Sequence, residues 1–158
     1  MGNLILVRHG ESIGNRDRIF AVNPADLPLT ELGYRQAREV AVLIRAQFAP
    51  ELVVASPFVR ARETARVIAD SLQSPLQIEP ALYERDVGAF QGQSYDALVR
   101  APGYDGHSPW KWRPEGGESY EDVRARAAPV LDRLAVTHLE RDVVIVSHGG
   151  VPLTFRQI

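Results

Sequence analysis

The sequence contains no cysteine in its 158 residues, which excludes disulfides, thiolate metal sites and every mechanism built on a cysteine nucleophile. A reducing compartment is compatible with that absence. There is no excess of charge either. Against 18 lysines and arginines stand 20 aspartates and glutamates, a formal net charge of -2, so the chain lacks the bulk basicity that holds nucleic acid or an anionic membrane surface. Long apolar runs are also missing: the first, Leu4 to Val7, stops at Arg8, too short for a signal-peptide core or a membrane span. The sixth residue is Leu6, where a myristoylation signal needs Ser or Thr. A soluble, cytoplasmic protein with no nucleic-acid or membrane partner is the expectation. With 45% hydrophobic and 24% charged residues, disorder and fibrous architecture are excluded, and the length predicts one domain over 1–158.

Leu4 to Val7, Leu52 to Ala55 and Val143 to Val146 are short continuous apolar runs, the pattern of strands buried on both faces in a parallel sheet. Leu76 to Ile78 is a weaker strand. Thr30 caps a segment with apolar residues at Leu32, Ala37, Val40, Ala41 and Ile44, and Phe58 to Leu72 repeats helical spacing. Ser119 with Asp122 opens a further helix running to about Val136, in which Pro129 predicts a kink. An insertion spans about 93–117, and from Ala101 to Gly117 it is dense in Pro, Gly and aromatics. It reads as irregular structure and not a linker, because Trp110 and Trp112 need shielding. The alternation predicts an α/β fold: a three-layer α/β/α arrangement with a mostly parallel sheet and ligands at the carboxyl ends of its strands.

Those ends carry the unusual residues. The first strand runs into Arg8-His9-Gly10-Glu11-Ser12, the second into Ser56-Pro57 with Arg60 one turn on, the third leads to Glu84, and the last ends in Ser147-His148-Gly149-Gly150. Either histidine alone reads more readily as a hydrogen-bonded turn residue, and Arg60 alone as a surface arginine. Together, two arginines and two histidines beside glycines suit a dianion, for which phosphate is the natural candidate.

The same residues resemble the histidine phosphatase superfamily, which also holds cofactor-dependent phosphoglycerate mutases. The resemblance covers nearly the whole chain. It runs from Arg8-His9-Gly10-Glu11-Ser12 with Asn15, through Leu27-Pro28-Leu29-Thr30 and Gly33, Ser56-Pro57 to Arg60-Ala61, and Glu84 with Gly88, to Gly117-Glu118-Ser119 and Ser147-His148-Gly149-Gly150. It implies a phosphoglycerate mutase-like fold and a metal-independent phosphomonoester hydrolase. His9 would attack phosphorus and become phosphohistidine; Arg8, Asn15, Arg60 and His148 would hold the phosphoryl oxygens; Glu84 would donate the proton. Gly10, Glu11, Ser12 and Gly149 support these groups, Gly10 by allowing close backbone approach to phosphate. The chemistry is coherent: attack needs a neutral imidazole of the correct tautomer, and two guanidinium forks with a protonated His148 balance the charge without a metal or other cofactor.

Other readings are weighed beside this one. Gly10-Glu11-Ser12-Ile13-Gly14 satisfies GxSxG, the nucleophile elbow of serine acyl hydrolases, with Asp142 and His148 following in triad order. It comes too early in the chain to complete an oxyanion hole, and a helix cap is the better role for Ser12. A non-catalytic phosphate-binding module would not need His9, Arg8, Arg60, Glu84 and His148 together. His107 and His138 lie outside any metal-ligand spacing and are expected at the surface. Trp110-Lys111-Trp112-Arg113 reads either as a lid over an organic or anionic substrate group or as aromatic packing beneath a loop. Only eight residues follow Gly150, whereas relatives continue through a helix and a strand. The carboxyl end therefore reads as truncated, and the sheet as having an uncovered edge or one completed in a homodimer. The short insertion, and Gly150 where mutases generally carry Asn, favour a phosphatase acting on a small phosphorylated substrate over a mutase.

Overall fold

The computed structural model describes residues 2–104, 106 and 110–155. Among them, strands β1 (Leu4–Arg8), β2 (Pro50–Ala55), β3 (Leu76–Ile78) and β4 (Asp142–Ser147) form one parallel sheet in the order β1-β4-β2-β3. The α-helices among the described residues are α1 (Ile13–Asp17), α2 (Glu31–Gln47), α3 (Val59–Leu72), α4 (Tyr95–Val99), α5 (Tyr120–Thr137) and α6 (Gly150–Phe155). The direction of travel across the sheet explains the layers. From β1 to β2 to β3 the chain moves one way, and from β3 to β4 it returns. Right-handed crossovers therefore put α2 and α3 on one face and α5 on the other.

Alternation along the strands then divides the core. Val7, Val53, Ala55, Val144 and Val146 pack against Ala41 and Ile44 of α2 and Ala61, Ala65 and Ile68 of α3. Val54, Val143 and Ile145 pack against Val123, Ala127, Val130 and Leu134 of α5, with Leu82 and Val151. Both faces of β2 and β4 are thus buried, which is why their sequences are unbroken apolar runs.

The caps fall where expected: Thr30 Oγ1 accepts from Gly33 N at 3.1 Å, and Ser119 and Asp122 form a capping box on α5. α5 runs through Pro129 to Thr137 without interruption; losing one backbone donor is tolerated in a helix whose inner face is fully packed. Ser94 caps the short α4, ahead of the 101–117 stretch. Ser12 and Asn15 likewise close a capping box on α1.

Candidate active site

The sheet ladder runs slightly past the named strands. His9 N donates to Ser147 O at 3.0 Å and Ser56 N to Val146 O at 3.0 Å, so His9, Ser56 and His148 leave three adjacent strands at one level. The loop after His9 is then pinned to α3: Gly10 N donates to Thr64 Oγ1 at 3.1 Å, and the Thr64 hydroxyl donates to Arg60 O at 2.8 Å. Gly10 meets a packing demand that its sequence position does not show. A Cβ there would stand 2.4 Å from Gly33 O, and one on Gly33 would stand 2.1 Å from Glu11 O. The two glycines let the His9 loop lie directly on the first turn of α2.

His9 is oriented through both ring nitrogens. Nδ1 lies 2.7 Å from Gly10 O, a carbonyl that can only accept, so Nδ1 carries the proton. Nε2 is left with its lone pair, which accepts from Arg60 Nε at 3.2 Å. Burial is the main cause that pushes the His9 pKa down to about 3; Arg60 and then Arg8 lower it further, opposed by the Gly10 carbonyl. The imidazole is held neutral, with one nitrogen ready for attack.

His148 departs from the expected cation. It is fully buried, and burial, followed by Arg60, His9, Arg126 and Arg8, pushes its pKa well below the ordinary histidine value. Its Nε2 meets Ser56 Oγ at 2.7 Å, and that oxygen already accepts from Phe58 N. Where that hydroxyl donates to Nε2, the proton of a neutral ring stands on Nδ1. Among the described residues that Nδ1 has no hydrogen-bond partner, and it lies 3.6 Å from Glu84 Oε2. A buried orphan donor is costly unless a ligand meets it, and a phosphoryl oxygen would do so without requiring an imidazolium. Glu84 faces it from the far side, its pKa raised by burial against the opposing pull of Arg60, the Arg85 backbone N–H, Arg8 and Arg126.

Arg8 and Gly149 line the same cavity, and Asn15 reaches it with Nδ2, which donates to Tyr95 Oη at 3.2 Å. Ser12 is buried and engaged with Asn15. Asp142 sits at the opposite end of β4, accepting from Asn3 and Ala49, so the serine triad is not assembled. Glu11 acts in the scaffold, accepting from the Thr30 hydroxyl at 2.7 Å. His138 is half-buried and paired with Glu51 at the start of β2, the opposite end of the sheet from the cavity, not free at the surface. His107 lies outside the described residues.

Sequence reasoning missed a second layer. Arg126 donates to both oxygens of Glu118, to Ala81 O at 2.7 Å and to Glu84 O at 3.3 Å; Glu118 accepts from Tyr83 Oη and Asp86 N. One ion pair thus clamps the 81–86 segment that carries Glu84. Its only sequence signal was Glu118 in the Gly117-Glu118-Ser119 motif. Missed as well was the cavity, of about 900 Å³, whose walls include Phe20, Val22, Leu27, Tyr95, Leu98, Tyr104 and Tyr120. Trp110 and Trp112 stand behind its lining, against Tyr120 and Tyr104 respectively, which favours the packing reading over a lid. Ligand atoms of His9, Glu84 and His148 lie within 4.8 Å of one another, close enough to hold a metal. The Arg60 N–H on His9 Nε2 favours an anion there instead.

The profile of the histidine phosphatase superfamily (branch 1) matches residues 4–155. The glucosyl-3-phosphoglycerate phosphatase of Mycolicibacterium vanbaalenii is 32% identical over 160 residues, which cover 94% of this chain and 69% of that protein. The metal-independent phosphoserine phosphatase of Arabidopsis thaliana is 34% identical, covering 94% and 64%. Among solved structures, mycobacterial glucosyl-3-phosphoglycerate phosphatase in complex with VO3 superposes with a TM-score of 0.84 at 32% identity, over 96% of this chain and 77% of the other.

Proposed function

The chain belongs to the histidine phosphatase superfamily (branch 1), and from that premise we propose that it hydrolyses phosphomonoesters without a metal, with His9 as the nucleophile. The observation that carries the assignment is the His9 ring. Its Nδ1 proton is fixed on the Gly10 carbonyl, and its Nε2 lone pair points at the Arg60 guanidinium.

In the first step Nε2 attacks phosphorus and the bond to the ester oxygen breaks. The Glu84 carboxyl passes its proton to that oxygen, the alcohol departs, and the phosphoryl group stays on His9. In the second, the Glu84 carboxylate takes a proton from water, the resulting hydroxide attacks phosphorus, and the P–N bond breaks to release inorganic phosphate. Arg8, Arg60 and the Nδ1–H of His148 hold the equatorial oxygens, and these fixed donors need no rearrangement as charge moves. The partner is a small phosphorylated substrate and the compartment the cytoplasm. No helix of the described residues is long and apolar enough to cross a membrane.

Rapid quenching with a ³²P-labelled phosphomonoester tests the nucleophile. It should trap an acid-labile, base-stable phosphoenzyme that His9→Ala does not form, and the parent should turn over fully in excess EDTA. Label on Ser12, or activity that chelation removes, would overturn the reading.

A further inference from the structure

A neutral His148 carries one ring proton, and that proton serves a phosphoryl oxygen only when it stands on Nδ1, the nitrogen 3.6 Å from Glu84 Oε2. The choice between the two nitrogens is made on the other side of the ring, where Nε2 meets Ser56 Oγ at 2.7 Å. Ser56 is fully buried and held at backbone and side chain alike. Its N donates to Val146 O at 3.0 Å, and Phe58 N donates to its Oγ at 3.3 Å. The Phe58 ring stands edge-on to His148 with centroids 5.1 Å apart, and Arg60 Cζ lies over the Phe58 ring, 4.7 Å from its centroid. The 56–60 segment thus holds the plane of the His148 ring as well as one of its nitrogens.

The direction of the Ser56–His148 bond follows from its protons. If Nε2–H donated to Oγ, the hydroxyl proton would have no acceptor, because among the described residues Oγ meets only Nε2 and Phe58 N, and Ser56 is shut off from solvent. A buried donor without an acceptor is costly. If the hydroxyl donates to Nε2, every polar group at that end of the ring is satisfied. Nδ1 is without a partner in either form, so the difference between the two lies at Ser56. We propose that Ser56 is a positioning residue for phosphoryl transfer: its hydroxyl donates to Nε2 and keeps the single proton of His148 on Nδ1, where it meets a phosphoryl oxygen. The sheet uses only the backbone of Ser56, so this role accounts for its side chain.

The proposal rests on the phosphomonoesterase reading. NMR of protein labelled with ¹⁵N-histidine reads the tautomer, the ring being assigned to His148 through contacts with Phe58. The parent at neutral pH should show a pyrrole-type Nδ1 and a pyridine-type Nε2. Ser56→Ala should move both nitrogens toward averaged or exchanged values, and Ser56→Thr, which keeps the hydroxyl, should keep the parent pattern. A proton on Nε2 in the parent, or an imidazolium, would overturn the proposal without any variant being needed. On an aryl phosphate, whose leaving group does not call on Glu84, Ser56→Ala should lower kcat/KM roughly 10- to 100-fold, and Ser56→Thr should retain most of it. In a His148→Ala background the same Ser56→Ala change should have little further effect, since the ring it positions is gone. Equal losses in the two backgrounds, or parent-like turnover in Ser56→Ala, would overturn the positioning role. If the parent hydrolyses no phosphomonoester at all, it is the phosphomonoesterase reading that has failed, and the spectrum still decides where the His148 proton stands.

Discussion

Burial acts in the same direction on His9 and Glu84, against the charged form, and produces opposite results because one is a base and the other an acid. His9, pushed down to about 3, is a free base across the physiological range, while Glu84, pushed up, keeps its proton to higher pH than an ordinary carboxylic acid. The sign for activity follows. Below the raised Glu84 pKa and above about 3 both groups hold their working forms, and hydrolysis of an alkyl phosphate falls as pH rises through the Glu84 pKa. Aryl phosphates are less sensitive, because a phenolate leaves without a proton. Glu84→Gln should lower kcat/KM on an alkyl phosphate by about 100-fold or more, affect an aryl phosphate much less, and remove the alkaline limb of the alkyl profile. An equal loss on both substrates would make Glu84 a structural carboxylate.

The meeting of the His9 loop with α2 belongs to the scale of elements, and its test is steric. Gly10→Ala must push a methyl group into the Gly33 carbonyl at 2.4 Å, so a loss of about 1–3 kcal/mol in denaturant unfolding is expected, with reduced turnover because His9 is the next residue. Gly149→Ala is the control for stability: its Cβ would have no neighbour closer than 3.6 Å, and its unfolding midpoint should stay near the parent's. Equal stability of Gly10→Ala and the parent would show that the loop is free to shift. The two glycines also mark how far the sequence was legible. The strands could be read because β2 and β4 are apolar on both faces, and α2, α3 and α5 because their apolar spacing persists over several turns. α1 and α4, five residues each, are too short for periodicity and owe their form to caps and to packing. His9, Arg60, Glu84 and His148 were legible as residues, since each follows a strand. The packing demand on Gly10 was not legible because it comes from a helix 23 residues away, at Gly33. The Arg126–Glu118 clamp left only Glu118 in its motif as a trace, because the clamp arises only when the 81–86 segment and α5 are brought together.

At the scale of the molecule, the separation of hydrolysis from isomerisation depends on what covers the phosphohistidine. A mutase has to hold the phosphoryl group away from water while the monophosphate product turns around and takes it back, which calls for a closed pocket. Here the cavity of about 900 Å³ is far larger than a phosphoryl group. Two stretches, residues 19–27 and 87–98, line it on the substrate side, joined by the Ile19–Ser94 bridge and by the Phe20 N to Gln93 O bond at 2.9 Å. Among the described residues, Trp110 and Trp112 pack against Tyr120 and Tyr104 and are not part of the cavity lining. Water therefore has access to Nε2 once the alcohol departs, and the second step should be hydrolysis. The measurement is a side-by-side assay of phosphate release and of exchange between 2- and 3-phosphoglycerate, the enzyme having first been primed with 2,3-bisphosphoglycerate. Phosphate release should exceed exchange at every substrate concentration, because raising the concentration of acceptor does not close the cavity. If exchange outruns release by orders of magnitude, the phosphoenzyme is protected and the open cavity is not the form in which it reacts.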